Sequence, residues 1–209
     1  MKQFESLYSS VSHYGVSRET CQRLILFTEI LKQWQSVTHL VSANELPLIW
    51  NRHILDSIQL IRFLSKDTRQ ILDFGSGGGF PGVVLALLGN DFKWSVLLVE
   101  SNARKVAFLR HVSRETDIPF DVIHSRVEDL ELSRINFPQY VTARAVSDLK
   151  TLIQLSIPFL QKGAIGLFPK GRNVEKELEM ARDAWSFNYE LFLSVTDPDA
   201  RIVQITMPS

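Results

Sequence analysis

Ile71-Leu72-Asp73-Phe74-Gly75-Ser76-Gly77-Gly78-Gly79-Phe80-Pro81-Gly82 is the stretch that decides the fold. Ile71, Leu72 and Phe74 read as the end of a buried strand. Glycines follow at 75, 77, 78 and 79, and Pro81-Gly82 leads into the apolar run Val83 to Leu88. Proline suits a first helical position, where its missing N–H has no intrahelical partner. The unit is therefore strand, glycine turn, helix. Such a turn lets a ligand approach the backbone without interference from a Cβ. The helix N-terminus adds free N–H groups. The bland alternative is a structural turn that binds nothing.

A G-x-G-x-x-G pattern runs from Gly77 to Gly82 and suggests a dinucleotide site. In that fingerprint, however, the first glycine directly ends the strand, and here that place belongs to Gly75. Read from Gly75, the pattern is G-x-G-x-G with Asp73 two residues before it. This arrangement resembles motif I of the Rossmann-like S-adenosylmethionine methyltransferases. An acid near the turn suits a ligand with an ammonium group and repels a pyrophosphate. Phe92 to Val99 reads as the next buried strand, ending at Glu100. An acid about 20 residues after the glycine turn hydrogen-bonds ribose hydroxyls in nucleotide-binding α/β folds, and Glu100 falls in that window. A surface glutamate at a strand end is the plain reading of Glu100 alone. Two signals in one βαβ unit favour a ligand.

Composition sets the bounds. A chain of 209 residues with 45% hydrophobic content can build one α/β domain plus a modest extension. Twenty-three basic and 23 acidic residues balance to zero, so any nucleic-acid surface must be local. The single cysteine, Cys21, can form neither an internal disulfide nor a metal cluster. No signal peptide is seen, and no stretch approaches the roughly 20 apolar residues of a membrane span. The expectation is a reducing, cytoplasmic setting without membrane or metal.

Residues 1–66 read as a helical extension and residues 67–209 as the ligand-binding α/β domain. Phe4, Leu7, Tyr8 and Val11 share one helix face; Ser17 and Thr20 start a second helix through Leu24, Phe27, Leu31 and Trp34. Ser42 or Asn44 is expected to cap a third, with Pro47 in its first turn and core residues from Ile49 to Ile61. It contains Arg52-His53-Ile54-Leu55-Asp56-Ser57, where His53 and Asp56 share a face by their three-residue spacing. A surface arginine and a satisfied half-buried histidine is the reading that spacing favours; a reach into a cleft or toward RNA phosphates is the other. From about Thr68, strands and helices alternate, which implies a mostly parallel sheet. Helices are expected over Asn102 to Glu115, Asp148 to Leu160 and Val174 to Trp185. Strands are expected at Phe120 to His124, Tyr140 to Ala143, Ala164 to Phe168, Tyr189 to Val195 and Arg201 to Thr206. Arg110 and Arg114 stand on one helix face, more simply solvated than bound to RNA.

In such a sheet ligands sit at the carboxyl ends of the strands, where Asp73, Glu100, Glu128, Arg144 and Lys170 fall. An adenine amino-group methylase would show Asn/Asp-Pro-Pro-aromatic where this chain has Thr142-Ala143-Arg144-Ala145-Val146. A cytosine C5 methylase needs a cysteine at the cleft, and Cys21 lies in the extension. A metal-assisted site needs clustered acids, absent around Arg144. Guanine N7 has a free lone pair and no proton, so its methylation needs alignment and dehydration rather than a base. Arg144 could meet a guanine O6/N7 edge. Contact with N7 would block reaction, so phosphate, O6 alone or the donor remain its partners.

The chain resembles the ribosomal small subunit methyltransferase G family, also called glucose-inhibited division protein B. The residues that carry this are Arg52 to Ser57, Asp73 to Gly82, Glu100, Lys105-Val106-Ala107-Phe108-Leu109, Arg126-Val127-Glu128, Ala143-Arg144-Ala145 and Lys170-Gly171. Ala143 and Glu100 depart mildly from the serine and aspartate common at those positions. The resemblance implies a Rossmann-like, seven-stranded, S-adenosylmethionine-dependent enzyme of the bacterial cytoplasm, expected to be a monomer. It implies methylation of N7 of a guanine in the decoding region of 16S rRNA, as bare rRNA or in a small-subunit precursor. Gly75, Phe80, Val127, Glu128 and Arg144 match donor-binding positions, beside Asp73, Gly77 and Glu100 from the motif itself. Arg52, His53, Lys170 and Arg172 are candidates for RNA contact. Another RNA base, a small-molecule acceptor, or a non-catalytic donor-binding RNA module are the competing readings.

Overall fold

The computed structural model describes residues 2–208. Two amphipathic helices, α1 (Lys2–Ser12) and α2 (Arg18–Trp34), begin the chain. Ser17 caps α2 by accepting the Thr20 N–H at 3.1 Å, which satisfies one of the helix's unpaired donors. The helix expected after Ser42, with core residues from Ile49 to Ile61, is present as an unbroken helical segment over 43–63, but its hydrogen-bond pattern changes along it. Ala43–Leu48 and Gln59–Phe63 are 3-10 turns, Trp50–Leu55 is a π turn, and α3 is only Asp56–Ile58. Two local causes fit. Pro47 lies inside the first turn and supplies no N–H. The Ser57 hydroxyl donates to the His53 carbonyl at 2.7 Å, and such side-chain bonding competes with the helical ladder. Ser42 precedes this segment but makes no backbone cap; its hydroxyl donates to Glu45 Oε2.

The α/β part follows as β1 (Gln70–Phe74), α4 (Gly82–Phe92), β2 (Ser95–Glu100), α5 (Ala103–Thr116) and β3 (Asp121–His124). Then come β4 (Tyr140–Ala143), α6 (Leu149–Leu160), β5 (Ile165–Lys170), α7 (Val174–Arg182), β6 (Asn188–Leu193) and β7 (Arg201–Thr206). Phe92, expected in the second strand, closes α4. Lys93 is left-handed, with φ of 68°, and ends the helix there. The Phe92 ring then stacks on Trp94, 4.9 Å between centroids.

The seven strands lie in the order β3-β2-β1-β4-β5-β7-β6. The first five are parallel; β7 runs antiparallel to both β5 and β6. The chain starts in the middle, moves outward to β3, then returns to β4 on the other side of β1. Strand order thus reverses between β1 and β4, and the crevice outside the carboxyl ends of strands at such a point is where ligands bind. One face of the sheet is covered by α2, α4 and α5, with Leu24, Phe27, Leu31, Val83, Leu85 and Phe108 buried together. The other carries α6 and α7, with Leu152, Phe159 and Leu178 against Phe74, Phe168 and Val203. The helices of residues 2–63 therefore share a core with the sheet. Burial of each such side chain contributes about 1.5–3 kcal/mol.

Gly82 is where α4 meets the sheet most tightly. A methyl group there would collide with Leu98 Cδ2 and Asp73 Oδ2. Gly82→Ala is therefore expected to cost about 1–3 kcal/mol through overpacking. A lower urea midpoint at unchanged slope is the expected result.

Candidate active site

The glycine turn leaves β1 at Gly75, whose φ is +59°. A Cβ there would be strained, and it would lie 2.6 Å from Val146 Cγ2 in the segment after β4. The turn is pinned to β2 by Ser76 N–H donating to the Val99 carbonyl at 3.1 Å. Glu100 completes the attachment: its Oε2 accepts the Gly77 N–H at 2.8 Å and its Oε1 the Asn102 N–H at 2.7 Å. The buried Glu100 carboxylate thus shapes the turn itself, while each oxygen keeps a further lone pair. The end of β2 is in turn tied to β3 by Ser125 N–H on the Glu100 carbonyl at 3.2 Å. Beyond it a 3-10 turn spans Val127–Asp129, with Val127 half-buried and Glu128 exposed.

Asp73 takes a different position from the one expected of a residue that meets a ligand. It has no exposed surface, and its Oδ1 accepts the Thr142 hydroxyl at 2.8 Å. Its Oδ2 faces Gly82 at the head of α4. Burial, only partly offset by hydrogen bonding that includes Thr142, pushes the carboxyl up to about 7. A small side chain at the centre of the sheet is reached by neighbouring strands before any ligand, so Asp73 joins β1, β4 and α4.

Across the crevice stands Arg144, just beyond β4. Its Nη1 donates to the Arg52 carbonyl at 2.9 Å and to Asp56 Oδ2 at 3.2 Å, and its Nη2 meets His53 Nδ1. The guanidinium lies over the Phe80 ring, 5.1 Å from its centroid, and the His53 ring stacks on the same phenylalanine at 4.7 Å. Burial lowers the Arg144 pKa from its usual value, and Asp56 opposes this; a guanidinium remains charged throughout. Burial, aided by the Arg144 charge, pulls His53 down to about 4. His53 is therefore neutral near pH 7, and its Nδ1 is a lone-pair acceptor for the guanidinium.

His53 is buried and part of this cluster, unlike the half-buried histidine favoured by its spacing. Arg52 points its exposed cation at Asp197, 3.4 Å away. Asp56 is the residue that sequence reading placed on the His53 face without a role. Its partner lies 88 residues away, so only the helical spacing signalled it.

Arg144, Asp56, Arg52, Lys170, Thr196 and Arg201 surround a cleft of about 370 Å³. Lys170 is not a free cation: its Nζ pairs with Glu177 Oε2 at 2.6 Å and donates to the Ser147 carbonyl at 3.0 Å. Glu177 also accepts the Leu149 N–H at 2.8 Å. Lys170 thus braces the loop that carries Arg144. Arg172, two residues on, is exposed. Arg110 is likewise engaged, donating to the Val122 carbonyl at 3.1 Å. Among the described residues no group of three or more His, Cys, Asp or Glu is arranged to hold a metal, and no helix is long and apolar enough to cross a membrane.

The architecture is shared with solved structures, a methylase among them. A cofactor-bound Rv0187 from MTB superposes with a TM-score of 0.63 at 13% identity, covering 90% of this chain and 91% of that one. The ribosomal protein L11 methylase from Lactobacillus delbrueckii subsp. bulgaricus gives a TM-score of 0.57 at 14% identity, covering 74% of this chain and 77% of that one. The class is thus a Rossmann-like methyltransferase fold. Sequence similarity goes further. The family described as rRNA small subunit methyltransferase G matches residues 20–204. The ribosomal RNA small subunit methyltransferase G of Rhodospirillum centenum is 44% identical over 193 residues, spanning 92% of this chain and 87% of its own length. That of Methylorubrum populi is 43% identical over 197 residues, spanning 94% and 92%. The chain belongs to the ribosomal RNA small subunit methyltransferase G family.

The His53 environment generates a pH prediction. A histidine held neutral when folded and protonated when unfolded makes stability rise with pH between its two pKa values. The native value of about 4 lies below the ordinary 6.5. Stability from His53 is therefore complete above pH 6.5 and lost as pH falls toward 4, by at most about 3 kcal/mol at 1.36 kcal/mol per pH unit. His53→Gln should lose less stability than the parent across this interval. Urea midpoints measured between pH 4 and 7 check it.

Proposed function

We propose that the protein transfers a methyl group from S-adenosylmethionine to N7 of a guanine in the decoding region of 16S rRNA. The observation that carries this reading is the occupied state of the only histidine in the Arg144 cluster. His53 is neutral, buried, and has its Nδ1 taken by Arg144. A ring nitrogen acceptor that already has a free lone pair needs no base, and the two side chains that Arg144 contacts, His53 and Asp56, are both engaged with it.

The residues fit the donor. Gly75 leaves a Cβ-free approach at the strand end. Glu100 has lone pairs left for ribose hydroxyls, the half-buried Val127 is an apolar wall for a base, and Glu128 is an exposed acceptor for an exocyclic amine. When bound, the donor supplies an electrophilic sulfonium methyl. This chain's residues then act by orientation and by exclusion of water. Phe80 gives an apolar surface over which the Arg144 guanidinium sits, 5.1 Å from the ring centroid. Arg144 holds the acceptor by phosphate or O6, or holds the donor, and leaves N7 open. The cleft on its other side, rimmed by Arg52, Thr196 and Arg201, receives the acceptor nucleotide. Arg172 adds local positive charge that a chain of zero net charge needs for RNA.

Mass mapping of methylated guanines in 16S rRNA, made with and without the protein, tests the reaction. One added methyl on a decoding-region guanine is expected; modification elsewhere, or donor binding without transfer, defeats the proposal. The single-turnover rate should show no limb traceable to His53 between pH 6 and 8, since His53 titrates near 4. An ascending limb there that His53→Gln abolishes would reveal a base, whereas one that Asp73→Asn abolishes would report the buried Asp73 carboxyl near 7. Gly75→Val should weaken donor affinity by more than about tenfold, or 1.4 kcal/mol, by calorimetry on folded protein. Arg172→Ala should reduce the salt slope of RNA binding by about one. Lys170→Ala should change that slope less, because Lys170 is already paired with Glu177.

A further inference from the structure

We propose that Thr196, in the β6–β7 turn, acts through Asp56 as a positioning residue for Arg144. This rests on the reading above, in which Arg144 orients the reactants.

The two oxygens of Asp56 face different ways. Oδ2 accepts from Arg144 Nη1 at 3.2 Å. Oδ1 accepts the Thr196 hydroxyl at 2.7 Å and Gln59 Nε2 at 2.8 Å. Gln59 is itself fastened to the same turn: its Oε1 accepts the Val195 N–H at 2.9 Å, and its Nε2 reaches Ser194 Oγ at 3.1 Å. Thr196 N–H then returns to Ser194 Oγ at 3.2 Å. The turn and the segment carrying Asp56 form one closed polar network.

Among the three acceptors around Arg144, Asp56 is the charged one. Its side chain is 14% exposed and that of Arg144 is 17%, so water competes weakly for either. A charge-assisted bond in such a place is stronger and more directional than a neutral one. The angle of the Asp56 carboxylate therefore sets the plane of the guanidinium over Phe80. Thr196 and Gln59 set the angle of the carboxylate.

The placement of Thr196 gives this a functional consequence. Thr196 and Asp197 line the acceptor cleft, and Asp197 also holds the Arg52 cation. An RNA substrate seated against this turn touches the outer end of the network, while Arg144 stands at its inner end. Seating of the acceptor and orientation of Arg144 are coupled through one hydroxyl and one carboxylate.

Thr196→Val keeps the shape and removes the hydroxyl; Thr196→Ser restores it. At saturating donor and small ribosomal subunit, Thr196→Val should slow single-turnover methyl transfer about fivefold with KM for the subunit nearly unchanged, and Thr196→Ser should recover it. In an Asp56→Asn background, Thr196→Val should have no further effect on the rate. A loss confined to KM, or additive losses in the double variant, would overturn the proposal. If Asp56→Asn fails to fold, judged by circular dichroism, the Thr196→Val and Thr196→Ser pair decides alone. A second readout needs no activity. The Arg144 guanidinium N–H resonances in the donor-free protein should be sharp and broaden in Thr196→Val. Unchanged resonances would also overturn the proposal. Wild-type protein that transfers no methyl group would instead defeat the proposed function and leave this measurement to judge the network.

Discussion

A guanidinium withdrawn from water must have its charge met by the protein, because an unpaired buried ion costs several kcal/mol. Arg144 meets this constraint by drawing in the helical extension. The Arg52 carbonyl, the His53 ring and the Asp56 carboxylate all come from the segment before β1. Phe80 offers its face from the glycine turn. The extension is thus a wall of the crevice as well as a cover for one face of the sheet. The mixed helical geometry of residues 43–63 belongs to this arrangement. A π turn over Trp50–Leu55 carries Arg52 and His53, and irregular turns of this kind are frequent at functional sites.

The opposite wall is built on backbone rather than charge. Gly75 turns with a positive φ, and Glu100 spends its carboxylate on the N–H groups of Gly77 and Asn102. Asp73, the acid that first drew notice, is consumed by the fold beneath this wall. The crevice therefore has one side shaped by main-chain donors and an acid, and another shaped by a cation on an aromatic ring. A sulfonium donor with a nucleoside end and a neutral ring-nitrogen acceptor suits that division. The buried His53 has its Nδ1 lone pair engaged by Arg144.

Much of this was legible in order along the chain. The strand, glycine turn and helix from Ile71 to Leu88 followed from apolar runs and glycine spacing, and the alternation after Thr68 predicted the parallel sheet. Family membership, drawn from short motifs spread over the chain, agrees with relatives at 43–44% identity. The misses were local competitions between bonds. Phe92 closed α4 instead of opening β2, with the left-handed Lys93 ending the helix after it, and the segment around Pro47 kept a helical path without a regular α-helical ladder. Lys170 was a candidate for RNA contact, and its pairing with Glu177 was not legible, because Glu177 lies on the following helix and gives no periodic signal with a strand residue.

What the sequence by itself determined was the order of elements, the place of the glycine turn and the family. These depend on periodicity and on residues close together in the chain, which fold by local rules. Tertiary structure alone decided which side chains share a bond. Asp56 meets Arg144 across 88 residues and Thr196 across 140, and Asp73 meets Thr142 across 69. Those pairings follow from strand order and from packing the extension on the sheet, and no local pattern encodes them. The protonation of His53 belongs to the same category, because burial and a neighbouring guanidinium exist only once the chain has closed around them.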